Sequence, residues 1–240
     1  MESFQLNFTI DETYLDKAGR VRPGALLYFA QEAAGTHCGL LGASNPGNLF
    51  WAVIRHRVQI TRLPEKGETI TVKTWPMPTT RTCFPRVCFC YDHQGKELFS
   101  VISLWVLMDK TTRAMVLPGK SGVDVPGVLK GCEPDAPGSI LPRDLPFAGV
   151  RQVSREDLDG NLHMNNTRYL DWAWELLPEC WAVKTPREIS VCYLSETRQG
   201  QELALFWGET DPEKLQFEGL RPRAENPEKQ ERVFAVSVKF

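Results

Sequence analysis

Apolar residues recur at helical spacing in two places along the chain. Leu26, Phe29, Ala30 and Ala33 form one stripe, and Tyr169, Trp172, Ala173 and Leu176 form the other. Each stripe predicts one helix with a single core-facing side. Pro23 suits the first turn of the first helix, whereas Asn165 or Asn166 suits the N-cap of the second and Pro178 stops it. Gly35 and Gly39 are expected to loosen the far end of the first helix. Behind each helix come β-rich runs with matching punctuation, Val58 to Trp75 and Val191 to Trp207, in which Gly67 faces Gly200. Asp92 to Gly95 and Asp109 to Thr112 read as hairpin turns, and Val233, Ala235 and Val236 mark a last strand.

The two patterns are faint copies of one another. At a constant offset of 143, Asp16 meets Asp159, Phe29 meets Trp172, Ala30 meets Ala173 and Glu32 meets Glu175. Each half reads as a strand, a long helix and about four antiparallel strands. The segment between them is dense in proline and glycine, which forbids regular structure and marks a linker. The expected organisation is α+β: a first unit over 1–125, a linker over 126–143 and a second unit over 144–240. Each unit is an antiparallel sheet wrapped around a central helix.

Composition narrows the class without naming a function. Hydrophobic residues at 42% and charged residues at 24% are ordinary for a globular chain of 240 residues, and the formal net charge is −2. No basic excess points to nucleic acid. The first residues lack the basic and apolar regions of a secretory signal, and no apolar run is long enough to cross a membrane. Seven cysteines without a CxxC pair fit reduced thiols. The expectation is a cytoplasmic protein that neither binds nucleic acid nor inserts into a membrane, as a monomer or a homodimer.

The densest polar cluster runs from Glu156 to Asn166. Asp159, Asn161 and His163 stand at i, i+2 and i+4, so an extended segment would place all three on one face. A helix start follows, where unpaired N–H groups suit a developing oxyanion. A carboxylate, an amide and an imidazole at such a place suit ester or thioester hydrolysis. The same residues also read as a plain turn with helix caps. The repeat favours chemistry, because His163 and Asn161 align with Arg20 and Ala18. Cys88, Cys90 and His93 could suggest a metal, but the spacing lacks a fourth ligand and core packing is the better reading.

Residues 159–170 resemble the D-x-N-x-H-[VM]-N-N-x-[KR]-Y pattern of the acyl-acyl-carrier-protein thioesterases. Ser103 to Asp109, followed by Thr112 and Arg113, is similar to a strand-turn-strand of the same family. The resemblance spans nearly the whole chain and implies a tandem of two hotdog domains. It implies that Asp159, Asn161 and His163 are catalytic, joined by Glu196 in the stretch Tyr193 to Gly200. Plant members often carry a cysteine after that glutamate, whereas this chain has Thr197, a poor nucleophile without a strong base beside it. Hydrolysis by water is therefore favoured over a covalent route, unless Cys192 substitutes.

In that scheme Glu196 or His163 activates the water. Asn161 and the backbone near Asn166 hold the carbonyl, and Asp159 orients its neighbours. The resemblance also implies an acyl pocket in the first unit, bordered by Leu26, Phe29, Ala33 and Trp51. The implied partner is an acylated acyl carrier protein, with no metal or organic cofactor. Arg81, Arg86, Arg113, Lys130 and Arg168 are candidates for a basic docking rim. Two alternatives stay open: preference for acyl-coenzyme A, and a non-catalytic acyl-binding role.

Overall fold

The computed structural model describes residues 2–44 and 46–240. The chain divides into two units, Met1–Pro137 and Gly138–Phe240. In unit 1, β1 (Phe4–Thr9) leads through a turn to α1 (Pro23–Leu40). Four strands follow: β2 (Leu49–Ile60), β3 (Thr69–Pro76), β4 (Phe84–Tyr91) and β5 (Glu97–Asp109). A short β6 (Met115–Val116) pairs with β5, and a single turn, α2 (Pro118–Ser121), comes after it. The antiparallel sheet has the order β1-β3-β4-β5-β2.

Unit 2 repeats this plan. β7 (Phe147–Gln152) leads to α3 (Asn166–Glu175) and a one-turn α4 (Glu179–Ala182). Then come β8 (Glu188–Tyr193), β9 (Glu202–Asp211), β10 (Lys214–Pro222) and β11 (Gln230–Lys239). Their order, β7-β9-β10-β11-β8, is that of unit 1 strand for strand. Both units are hotdogs: one antiparallel sheet against one principal helix.

The helices are held by the stripes read from sequence. Leu26, Phe29 and Ala33 are fully buried, and Phe29 packs on Phe8 and Tyr14 with ring centroids 4.9 and 4.8 Å apart. Burying one such ring contributes about 2–3 kcal/mol. Trp172 fills the equivalent place on α3. Pro23 does open α1, after Arg22 in an extended conformation. Contrary to expectation, α1 continues through Gly35 and Gly39 to Leu40, because its buried face outweighs the weak propensity of two glycines. Gly67 and Gly200 both adopt φ of 82°, a left-handed conformation that glycine takes without a Cβ clash. Their N–H groups donate to Ile10 at 2.8 Å and to Val153 at 2.9 Å, which fixes the entry to β3 and β9 alike.

Between Ser121 and Phe147 the chain has no helix or strand, yet it is anchored. Val128 N–H donates to the Pro76 carbonyl at 2.9 Å, and the Trp75 indole donates to Glu133 at 3.0 Å. Gly127 lies so close to the Met77 carbonyl that a Cβ would not fit. Beyond Pro137, the Gln216 amide and the Arg232 guanidinium donate to the carbonyls of Leu141 and Ile140 at 2.8 and 3.2 Å.

Candidate active site

The polar cluster before α3 is a closed loop, not an extended strand. Asp159 Oδ1 accepts from the N–H groups of Asn161 and His163 at 2.8 and 3.1 Å, and Asp159 N–H donates to the His163 carbonyl at 2.8 Å. An aspartate that accepts from the backbone two residues on drives the chain into a turn. Side-chain alternation therefore does not align Asp159, Asn161 and His163. Leu162, at φ 62°, sits at the tip in the left-handed region and is exposed. Asp159 Oδ1 is thereby committed to the loop backbone.

His163 is brought to Glu196. Its Nε2 lies 3.6 Å from Glu196 Oε2, within ion-pair reach and short of a direct hydrogen bond. Main-chain pairing holds the two segments together: Met164 N–H donates to the Thr197 carbonyl at 2.8 Å, and His163 bridges to Arg198. Asn161 stands exposed at the loop tip; its backbone N–H is taken by Asp159, and its side-chain amide makes no hydrogen bond among the described residues. Asn165 is the N-cap, accepting from Thr167 N–H at 3.0 Å, and its carbonyl takes the Arg168 N–H. That leaves the Asn166 N–H as the helix donor without a backbone or side-chain acceptor among the described residues. The Asn166 carbonyl accepts from the Tyr193 hydroxyl at 3.0 Å.

Neither alternative nucleophile is presented. Thr197 is fully buried, and its hydroxyl accepts from the Tyr169 hydroxyl at 2.9 Å. Burial pushes the Tyr169 phenol up to about 12, so it stays a proton donor. Cys192 is buried on β8, its thiol 3.7 Å from the Gly138 carbonyl. Cys88 and Cys90 are core residues too; burial pushes Cys88 up to about 11 and raises Cys90 as well. Among the described residues no cluster has the donors to hold a metal ion.

Two supporting residues escaped the sequence reading. Asp157 is almost wholly buried. Its carboxylate accepts from Ser154 N–H and Oγ at 3.0 and 2.8 Å, from Arg168 Nε at 3.0 Å and from the Trp172 indole at 3.1 Å. Burial opposes its ionisation, but these donors prevail and hold its carboxyl below the ordinary carboxylate range. Its carbonyl also takes the Asn165 N–H at 2.7 Å, which ties the loop to the start of α3. Arg221 clamps the other segment, donating to the Glu196 carbonyl at 2.7 Å and to Ser195 Oγ at 2.6 Å while paired with Glu231 at 2.7 Å. A lone acidic residue in an acidic stretch and a lone arginine in a strand carry no periodic signal.

In unit 1 the expected pocket residues divide. Trp51 borders a cavity of about 180 Å³, its indole donating to the Ala43 carbonyl at 2.8 Å. The helix wall of that cavity is Gln31, Ala34, Gly35 and Cys38, whereas Leu26, Phe29 and Ala33 lie in the fully packed core. The basic rim does not assemble as expected. Arg86 is buried because its place on β4 faces α1, and Arg168 is spent on Asp157 and Asp171. Lys130 and Arg113 lie over the rings of Trp75 and Phe50, and Arg81 is exposed.

Comparison with known proteins adds the family. Residues 1–117 match the Acyl-ACP thioesterase N-terminal domain, and residues 149–232 match the Acyl-ACP thioesterase C-terminal domain. The palmitoyl-acyl carrier protein thioesterase of Cuphea hookeriana is 25% identical over 197 residues, covering 73% of this chain and 47% of that protein. The corresponding protein of Gossypium hirsutum is 27% identical over 199 residues with the same coverage, 73% and 47%. The chain spans about half the length of the curated relatives it matches. Among solved structures, an acyl-ACP thioesterase from Bacteroides thetaiotaomicron superposes with a TM-score of 0.85 at 24% identity, covering 99% of this chain and 97% of its own. The 12:0-ACP thioesterase from Umbellularia californica gives a TM-score of 0.77 at 20% identity, with coverage of 99% and 96%. These two likenesses show a shared fold.

Proposed function

We propose that this chain, which belongs to the acyl-ACP thioesterase family, hydrolyses the thioester of an acylated carrier protein to a free fatty acid and the carrier thiol, ending fatty-acid synthesis. The observation that carries the reading is the His163–Glu196 pair at 3.6 Å beside an α-helix N-terminus in unit 2. A water held beside the pair, within reach of both imidazole and carboxylate, would give up its proton to them as its oxygen attacks the thioester carbonyl. The charge that grows on the carbonyl oxygen is met by the Asn161 amide and the Asn166 N–H. The C–S bond then breaks, and the departing sulfur takes the proton back from the pair. The burial of Thr197 and Cys192 supports a route without an acyl-enzyme.

Unit 1 receives the acyl chain in this reading, unit 2 holds the chemistry, and the acyl carrier protein is the partner. The free state of the cysteines fits a reducing, cytoplasmic setting. The test is thiol release from acyl-carrier and acyl-coenzyme A substrates by the wild type, His163→Ala and Glu196→Ala. Faster turnover of the carrier substrate and a loss of about a thousandfold in each variant are expected. Near-wild-type rates in both variants would overturn the mechanism, and faster turnover of the coenzyme A substrate would reassign the partner.

A further inference from the structure

Unit 1 carries a row of polar side chains across the sheet face beneath α1. Arg86 on β4 is in register with Ser103 on β5, and Ser103 is in register with His56 on β2. Most of the row is closed on itself. His56 Nδ1 meets Ser103 Oγ at 2.8 Å and its Nε2 meets the Gln31 amide at 3.3 Å. Complete burial pulls the His56 imidazole down to about 3, so it is neutral. Two donors are left over, and both border the cavity that Trp51 lines.

The first is Arg86, only 7% exposed. Its hydrogen bonds to His37 Nδ1 at 3.1 Å and Thr74 Oγ1 at 3.3 Å both leave from Nη1, so Nε and Nη2 have no acceptor among the described residues. Among the described residues no carboxylate pairs with it; the ionisable groups that bear on it are the Cys38 and Cys88 thiols. The second is the Trp105 indole N–H, buried without an acceptor among the described residues. Trp105 is the register partner of Phe84, two residues before Arg86 on the same face of β4, so the two donors are neighbours. A buried guanidinium without a counter-ion costs several kcal/mol, and an orphaned indole N–H adds to that. The remaining wall includes Ala34, Trp51, Phe84 and Val125, which suits hydrocarbon.

We propose that this cavity is a binding site for a short aliphatic carboxylate, with the anion on Arg86 and the Trp105 N–H and the chain along the apolar wall. A volume of about 180 Å³ exceeds the roughly 150 Å³ of a cavity known to admit benzene, so one short chain fits. A guanidinium edge receives both oxygens of a carboxylate in plane. The cavity is the one that the proposed function gives to the acyl chain; the proposal adds recognition of a carboxylate there, and that binding is measured without turnover. The carboxylate has two sources, a free fatty acid or the far end of an acyl chain that carries a second acid group.

Hexanoate and 1-hexanol are titrated into the full chain by calorimetry, using the wild type, Arg86→Met and Trp105→Phe, with a thermal melt of each. The wild type should bind hexanoate at least about tenfold more tightly than hexanol. Arg86→Met should abolish that preference, and Trp105→Phe should weaken hexanoate about fivefold. Equal binding of acid and alcohol by the wild type, or hexanoate binding unchanged in Trp105→Phe, overturns the proposal even if Arg86→Met does not fold. In a further arm, tighter binding of an adipic acid mono-thioester than of hexanoate assigns the carboxylate to the far end of an acyl chain; the opposite order assigns it to a free acid. No arm requires turnover, so absence of hydrolysis would count against the proposed function alone.

Discussion

The loop before the helix is built twice, and only one copy bears the polar equipment. In unit 1, Asp16 Oδ1 accepts from Ala18 and Arg20 N–H at 2.9 and 3.0 Å, and Asp16 N–H returns to the Arg20 carbonyl at 2.7 Å. These are the bonds of Asp159, 143 residues later. Even the bridges match, Leu15 with Val21 and Leu158 with Met164. What changes is the side chains. Arg20, which pairs with Asp16, gives way to His163; Gly19 at φ 76° gives way to Leu162; Tyr14 against Phe29 gives way to Asp157 against Trp172. Features common to both copies are scaffold, and features confined to unit 2 are the candidates for chemistry.

That division can be broken at several points. The largest effect on stability is expected at Asp157, where unit 2 replaced an aromatic contact with buried polar bonds. Asp157→Asn removes the charge facing Arg168 and should cost about 3 kcal/mol, read by urea unfolding at pH 7. Because its folded pKa is depressed, this carboxylate stabilises above its unfolded value near pH ~4 and stops doing so as pH falls through the folded one. Asp157→Asn should therefore flatten the acid limb of the stability profile. An unchanged limb would mean that the donors around Asp157 do not matter.

Next come the shared aspartates. Asp16→Ala and Asp159→Ala each lose two turn bonds and should lower stability by about 1–2 kcal/mol. Only Asp159→Ala should also slow hydrolysis, by about a hundredfold (~2.7 kcal/mol), because it frees the loop that carries His163. Equal effects on rate would erase the distinction between the copies. At the loop tip, Gly19→Leu should cost about 1–2 kcal/mol and Leu162→Gly should cost nothing or gain up to about 1 kcal/mol, since only glycine takes positive φ without strain. A melting series on the two variants checks the sign. Thr197→Ala should be the mildest, lowering stability by about 1 kcal/mol through the orphaned Tyr169 hydroxyl while changing turnover less than about twofold.

The repeat was legible because it rests on periodicity: two helical stripes, paired glycines at Gly67 and Gly200, and matching strand runs. His163 stood out by residue type, and Glu196 only through resemblance to a family, since no local spacing joins positions so far apart. The extended reading of Asp159 to His163 failed because alternation ignores side-chain-to-backbone bonds, and Asp159 folds its segment into a turn. Arg86 was misplaced for a different reason. Arginine usually marks a surface, and only the register of β4 with β5 reveals that it faces inward. The polar row in unit 1 was invisible for the same cause: His37, His56, Ser103 and Arg86 lie far apart in sequence and converge only when the sheet forms.

The central claim is that one scaffold, used twice, performs chemistry once. It is tested most directly by the rate of acyl-carrier hydrolysis in two matched double variants, His163→Ala with Glu196→Ala and Arg20→Ala with Leu63→Ala, Leu63 standing four residues before Gly67 as Glu196 stands four before Gly200. The unit 1 pair should stay within about threefold of wild type, whereas the unit 2 pair should fall by about a thousandfold or more with its melting temperature retained. Comparable losses in the two proteins would contradict the account.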